Sequence, residues 1–258
     1  MAERAVISNT DRVFSLFREG VDAYRLVENG DHVLVAVSGG KDSLTLLNAL
    51  VDLQKTRSFR LTAIHIKTDF QCSSCIHEEV LSGLFQKLDV PYLIKHIKVL
   101  DEQRRTSCFW CSWNRRKCLF ETAQALGWAK IAFGHHKDDM IETTLLNMFF
   151  KGEISTMMPL QEMFDGAVKI IRPLWMVEEK MIRQFAAEHN LPHHLCRCPF
   201  GATSKRRLIK EHIAALSKEF PEVDIRGNIV KSISMRSGAV EHQDEPWFVH
   251  EILGEVLK

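Results

Sequence analysis

The hydrophobic positions of this chain change period repeatedly, and each change marks a switch between helix and strand. Over residues 11–28, Val13, Phe14, Phe17, Val21, Tyr24 and Leu26 recur among charges. That spacing predicts an amphipathic helix, packed on the core or on a second subunit and ended by Asn29-Gly30-Asp31. Val33-Leu34-Val35-Ala36-Val37 is a short apolar, mostly β-branched run, which predicts a buried strand. Leu44, Leu46, Leu47, Leu50, Val51 and Leu53 then return to near-helical spacing. A second strand follows over 61–66, a helix over 76–88, and a third strand from Tyr92 to near Ile97. A helix over 112–126 is stopped by Gly127, and a fourth strand covers 129–133. The next helix covers 140–150, with Leu145, Met148 and Phe149 expected inward. A fifth strand covers 168–171 and is halted by Arg172-Pro173-Leu174. Helices over 178–189 and 205–218 follow, and one more near 247–257.

Alternation of this kind predicts an α/β fold: a doubly wound, mainly parallel five-stranded sheet with helices on both faces. In such sheets ligands bind beyond the C-terminal ends of the strands. The expected organisation is an N-terminal helix over 1–29, a catalytic domain over 30–200 and a helical region over 201–258.

The stretch Ser38-Gly39-Gly40-Lys41-Asp42-Ser43 joins the first strand to its helix. Gly39 and Gly40 lack a Cβ and let a ligand approach the backbone. The helix start offers unpaired amide N–H groups and a partial positive charge, to which a phosphate fits. Lys41 adds a full charge, and Ser38 and Ser43 add hydroxyls. The plainer reading is a strand-to-helix turn capped by Asp42 or Ser43. The nucleotide P-loop has four residues between its first glycine and Gly-Lys-Ser/Thr, and this turn does not. It resembles the PP-loop of N-type ATP pyrophosphatases, which cleave ATP to AMP and pyrophosphate.

Composition adds bounds. With 258 residues, 45% of them hydrophobic, the chain can bury one sizeable core. A net charge of +1 means that any nucleic-acid site must be a local patch. No apolar run reaches the length of a membrane span, and the N-terminus does not read as a secretory signal. The expectation is a cytoplasmic protein with no membrane partner. Seven cysteines, six of them in close pairs, argue for metal or redox chemistry over structural disulfides.

Four groups carry candidate chemistry. Asp138 and Asp139 begin a helix at a strand end; they either cap it or hold Mg²⁺, which takes one or two carboxylates plus substrate phosphates. His135 and His136 beside them are turn residues or site residues. Cys108-Phe109-Trp110-Cys111 is a redox pair, a zinc half-site or part of an iron–sulfur site. Cys111, Arg115 and Cys118 share one helix face, Cys118 as a buried residue, and Arg115, Arg116 and Lys117 make the site electropositive. Cys72 and Cys75 relay persulfide, act as a redox switch, bind zinc or are plain turn residues. Lys205, Arg206, Arg207 and Lys210 form a solvated helix face or, with Arg104, Arg105 and the α-helical basic run, contact an RNA backbone.

From about Gly30 to Phe220 the chain resembles the tRNA 2-thiocytidine synthetase (TtcA) family of PP-loop enzymes. The matching stretches are SGGKDS at Ser38, CFWCSWNRRK at Cys108, KIAFGHHKDDMIETTLLNMFFKG at Lys130, IRPL at Ile171 and CRCP at Cys196. The Gly-His-His-x-Asp-Asp stretch discriminates best. The resemblance implies an adenine nucleotide alpha-hydrolase-like fold. It implies ATP at Ser38, Gly39, Gly40, Lys41, Asp42, Ser43, Gly134 and His135, with Mg²⁺ at Asp138 and Asp139. It also implies a 4Fe-4S cluster on Cys108, Cys111 and Cys198. The family spaces its last two cysteines by two residues and this chain by one, which keeps Cys196 as an alternative third ligand.

The implied activity is ATP-dependent tRNA thiolation, of the 2-thiocytidine or 2-thiouridine type. AMP is joined to a pyrimidine C2 oxygen, which sulfur then displaces. Lys41, Asp42, Asp138 and Asp139 serve the ATP step, and Arg115 stabilises developing negative charge. The partners implied are tRNA, a sulfur donor (a cysteine desulfurase or sulfide) and a second copy in a homodimer. Two other readings stand beside this one. One is adenylation followed by attack of an amine, which the clustered cysteines disfavour. The other is a non-catalytic nucleotide- and zinc-binding regulator, in which Cys72, Cys75, Cys108 and Cys111 would be spaced more widely than a zinc ribbon.

Overall fold

A computed structural model describes residues 7–70, 76–127, 129–192 and 205–234. Cys72, Cys75, Cys196, Cys198 and the helix expected near 247–257 lie outside the described residues. The chain divides into two compact units, Met1–His136 with Pro159–Cys196, and Lys137–Met158 with Arg197–Lys258.

The first unit holds the sheet. Its strands are β1 (His32–Ala36), β2 (Arg60–Thr68), β3 (Tyr92–Ile97), β4 (Lys130–Ala132), β5 (Leu160–Met163) and β6 (Val168–Ile171). They lie in the order β3-β2-β1-β4-β6-β5. All pairings are parallel except β5 with β6. The helices are α1 (Asn9–Ala23), α2 (Lys41–Leu53), α3 (Glu78–Lys87), α4 (Cys108–Ala125) and α6 (Glu179–Glu188).

Strand β1 is buried on both faces, which explains why its sequence is a continuous apolar run instead of an alternation. Val33, Val35 and Val37 join a core with Phe17 and Val21 of α1, Leu44, Leu47 and Leu50 of α2, and Ile182 and Phe185 of α6. On the other side α4 packs against β2, β3 and β4. Helix α1 is therefore a core element of this unit: Val13, Phe17, Gly20 and Val21 are buried, and Trp175 Nε1 donates to the Gly20 carbonyl at 3.1 Å.

Three differences from the sequence reading have local physical causes. The sheet has six strands, not five. The added strand β5, Leu-Gln-Glu-Met, sits at the sheet edge with only Met163 buried, so it lacks the apolar run that reveals its neighbours. Phe164, Asp165 and Gly166, all with positive φ, turn it back into β6. Helix α1 stops at Ala23 and not near Asn29. Arg25 takes a φ of 49°, and the Leu26 N–H bonds back to the Val21 carbonyl, a Schellman-type stop. Helix α4 starts at Cys108, capped by Ser107, whose Oγ accepts from Trp110 N at 3.1 Å. Both cysteines of the pair thus lie in its first turn.

The second unit is helical in its described part: α5 (Lys137–Lys151), α7 (Lys205–Glu219) and α8 (Ile225–Ser234). Ile141, Ile209 and Ile213 are its buried centre, with Leu145, Leu146, Ile229 and Val230 packed around them. Met148 and Phe149 are exposed, against expectation, because the stripe that meets α7 and α8 runs through Ile141 and Leu145. Helix α8 was not foreseen from the sequence. Its start is tied by Asp224, whose Oδ1 accepts from Gly227 N at 2.9 Å. Among the described residues no helix is long and apolar enough to cross a membrane.

Candidate active site

In the first unit the strand order reverses beside β1, whose neighbours are β2 and β4. The loops leaving β1 and β4 therefore meet at the topological switch point, where sheets of this kind bind ligands beyond the strand ends. The β1 loop carries Ser38 to Ser43. The β4 loop carries Gly134, His135 and His136.

The β1 loop is tied to itself. Ser43, almost fully buried, donates through Oγ to the Gly40 carbonyl at 2.9 Å and accepts from Ser38 N at 3.2 Å. Gly40 N donates to Ser38 Oγ at 3.3 Å. Gly39 has a φ of +86°, and a Cβ there would stand 2.4 Å from Ile76 Cγ2, so neither the angle nor the space admits another residue. Gly40 is the N-cap of α2 and supplies no side-chain cap. The first amides of α2 thus have no side-chain acceptor at the cap, and an anion fits there. From the β4 loop, a Cβ on Gly134 would lie 2.9 Å from both the Asp42 carbonyl carbon and Ser43 N. Backbone from two loops meets at van der Waals distance. The cradle suits the phosphates of ATP.

Lys41 is held between carboxylates. Its Nζ lies 2.9 Å from Asp42 Oδ1 and 3.2 Å from Glu179 Oε1, and Arg183 donates to the same Glu179 oxygen at 2.8 Å. Burial works against the Lys41 ammonium, but Asp42 and then Glu179 outweigh it and hold its pKa above the ordinary value. His136, buried, brings Nε2 to 3.6 Å from Asp42 Oδ1. His135 packs near Phe133, ring centroids 5.6 Å apart.

The cysteine pair stands on α4. Cys108 is exposed, Cys111 half-buried and Cys118 buried. Burial pushes the Cys118 thiol up, as expected of an inert core cysteine. Cys108 and Cys111 sit one turn apart at a helix N-terminus and share a face. Such a pair fits two ligands of an iron–sulfur cluster; the third cysteine would come from Cys196 or Cys198. Among the described residues no group of three or more His, Cys, Asp or Glu is arranged for a metal.

Arg115 follows Cys111 by one turn, and its Nε is buried with no hydrogen-bond partner among the described residues. It lies near His65, a residue the sequence reading did not single out. His65 is buried in β2 and hydrogen-bonds through Nδ1 to the Val37 carbonyl at 2.7 Å, the last residue before the β1 loop. Burial lowers the His65 pKa; the Val37 bond opposes this and the Arg115 charge adds to it. Against a carbonyl the neutral ring donates from Nδ1. On the same sheet Arg172 is buried; burial and then Arg116 lower its pKa to about 10. Arg172 donates to Gln161 Oε1 at 3.1 Å.

Asp138 and Asp139 belong to the second unit. Asp138 is buried and pairs with Arg226 of α8. Asp139 pairs with Arg206 of α7 at 3.0 Å, and Arg206 also donates to Thr143 Oγ1 at 3.0 Å. Two successive carboxylates in a helix's first turn suit Mg²⁺, which needs few protein ligands. The arginines neutralise the charge such a cation would take. Arg206 therefore pairs with a carboxylate, while Lys205 lies 4.3 Å from the centroid of the Phe150 ring. Glu179 and His65 were legible only as a polar helix start and a strand residue; no local pattern marks either.

A model of the PP-loop domain matches residues 12–197. The tRNA-cytidine(32) 2-sulfurtransferase of Idiomarina loihiensis is 37% identical over 210 residues, covering 79% of this chain and 70% of that one. The enzyme of the same name from Paracidovorax citrulli is 36% identical over 218 residues, covering 81% and 70%. Among solved structures, the U34-tRNA thiolase NcsA from Methanococcus maripaludis, with its 4Fe-4S cluster, superposes with a TM-score of 0.73. It is 21% identical and the match covers 96% of this chain and 88% of that one, a likeness of fold.

Proposed function

This chain belongs to the PP-loop domain family, within it to the tRNA 2-sulfurtransferases, and from that membership we propose that it replaces the C2 oxygen of cytidine 32 in tRNA by sulfur at the expense of ATP. The C2 carbonyl of a pyrimidine is a poor electrophile. Joined to AMP, its oxygen becomes part of a leaving group, and the carbon accepts a sulfur nucleophile as AMP departs.

The observation that carries this reading is His65, bonded to the Val37 carbonyl at the root of the β1 loop and exposed to the Arg115 charge of the cysteine helix. Arg115, one turn past Cys111, keeps a buried Nε with no hydrogen-bond partner among the described residues, and its charge bears on His65, which holds the Val37 carbonyl at the loop's root. The α2 amides, Ser38, Gly39, Gly40, Lys41, Asp42 and Ser43 hold the ATP phosphates. Gly134 and His135 border the nucleotide. Arg115 offers its donor to negative charge as it develops. Asp138 and Asp139, paired with Arg226 and Arg206, would hold Mg²⁺, which would supply positive charge against the phosphates. Cys108 and Cys111, with Cys198 or Cys196, would hold a 4Fe-4S cluster, which would supply a binding position for sulfur. The protein works in the cytoplasm as a homodimer and takes sulfur from a cysteine desulfurase or from sulfide. The catalytic domain is read as residues 30–200 together with helix α1, which packs into the same core.

The deciding experiment is nucleoside analysis of tRNA from cells lacking this protein. Loss of 2-thiocytidine, restored by the wild-type gene, is expected. An unchanged set of thionucleosides would overturn the reading.

A further inference from the structure

Helix α4 exposes at its start a surface that a folded chain ordinarily buries. Phe109 is 55% exposed and Trp110 47%. Trp110 and Trp113, one turn apart, hold their rings parallel to within 6°, with centroids 5.4 Å apart. The Lys117 ammonium lies 5.4 Å from the Trp113 centroid. Between Cys108 and Cys118 the helix carries Arg115, Arg116 and Lys117 and no acidic residue. Its buried residues, Cys118, Leu119, Phe120, Thr122 and Ala123, all lie beyond this stretch.

Two indoles stacked for stability would turn into the core, since burial is what makes large aromatic rings stabilising. These do not. A protein-binding surface would deplete charge around its aromatic centre. Here a run of cations, Arg115, Arg116 and Lys117, directly follows the rings on one helix. That is the pairing of features that holds single-stranded nucleic acid: rings take base faces, and cations take phosphates.

We propose that Trp110, backed by Trp113, is a stacking platform for an unpaired base of the RNA substrate, with Arg116 and Lys117 taking adjacent phosphates. The inference rests on the thiolation reading and adds the residue that fixes the RNA strand beside the cysteines. A cytidine can be modified at C2 only when its loop is splayed open, and its displaced neighbour needs a new face to stack on. Every base has such a face, so the platform sets position and not sequence. Trp110 is a positioning residue.

The test uses the full-length protein and a tRNA transcript, with affinity read by fluorescence anisotropy at fixed salt. Trp110→Ala is expected to weaken tRNA binding about tenfold, in line with the loss of one stacked base. Trp110→Phe should restore most of it. Both variants should match the wild type in iron content and circular dichroism. Phe220→Ala, an exposed aromatic elsewhere, should bind tRNA as the wild type does. Unchanged affinity of Trp110→Ala overturns the proposal. So does iron loss in Trp110→Ala that accounts for its weaker binding, which would make the rings a shield for the cluster. Retained tRNA affinity with lost binding of the sulfur donor would make the surface a protein contact and overturn it too. If the wild-type protein binds no tRNA, the thiolation reading itself fails; wild-type binding with an indifferent Trp110→Ala sinks the platform alone.

Discussion

Gly134, at the end of β4, touches the backbone of Ser43, in the first turn of α2: a Cβ added to the glycine would stand 2.9 Å from the Ser43 nitrogen. The neighbouring atom is main chain, so no side chain can swing aside. Gly134→Ala must push the two loops apart and widen the phosphate cradle. We expect a loss of about 1–3 kcal/mol in stability, the usual cost of overpacking. ATP affinity should fall with it. Thermal melts and nucleotide titration measure both, and a variant with wild-type ATP affinity would show that the cradle does not depend on this contact.

Arg115→Ala should lower turnover about a hundredfold, the order seen when a donor to developing charge is removed. ATP affinity should hold, because the phosphates are gripped elsewhere. Arg115→Lys should recover part of the rate. The same Arg115→Ala change should raise the His65 pKa, readable by NMR, since it removes a positive neighbour. Wild-type turnover in Arg115→Ala would end the assignment.

The cysteines of α4 should separate by role. Cys108→Ser and Cys111→Ser should each lose iron when purified without oxygen. Cys118→Ser should keep it, because that thiol is buried and inert, and should cost stability only. Equal iron in all three would rule out the cysteine pair as ligands.

Stability should fall in mild acid. His65 is buried, and its pKa lies below the ordinary 6.5, with the Val37 carbonyl, Arg115, Glu78 and Lys67 as its neighbours. Below pH 6.5 the unfolded chain takes a proton that the folded chain refuses, so stability declines until the folded pKa is reached. Above pH 6.5 the contribution is complete. His32, lowered by burial and by Arg60, works in the same direction. In melts taken between pH 7.5 and 5.5, His65→Asn should show a shallower decline than the wild type, with the His32 share remaining. A decline of identical slope would contradict the placement of His65.

How much of this was readable beforehand follows from the range of the interactions. The β1 loop was legible because its hydrogen bonds close within six residues, Ser38 to Ser43. The buried strands were legible because burial on both faces forces an apolar run. Strand β5 was not, because an edge strand needs no such run. Met148 and Phe149 were misread as inward, since helical spacing fixes which residues share a face but not which face meets α7.

The order of elements, the glycine turn with its lysine, the cysteine pair and the basic run after it were all set by the local sequence, because strand burial, helix capping and backbone angles act over a few residues. Tertiary structure alone decided that Glu179 closes on Lys41, that His65 carries the Val37 carbonyl, that Gly134 meets Ser43, and that Arg226 and Arg206 face Asp138 and Asp139. Those partners are separated by tens of residues, and chain connectivity places no charge beside another until the sheet and the helices have packed.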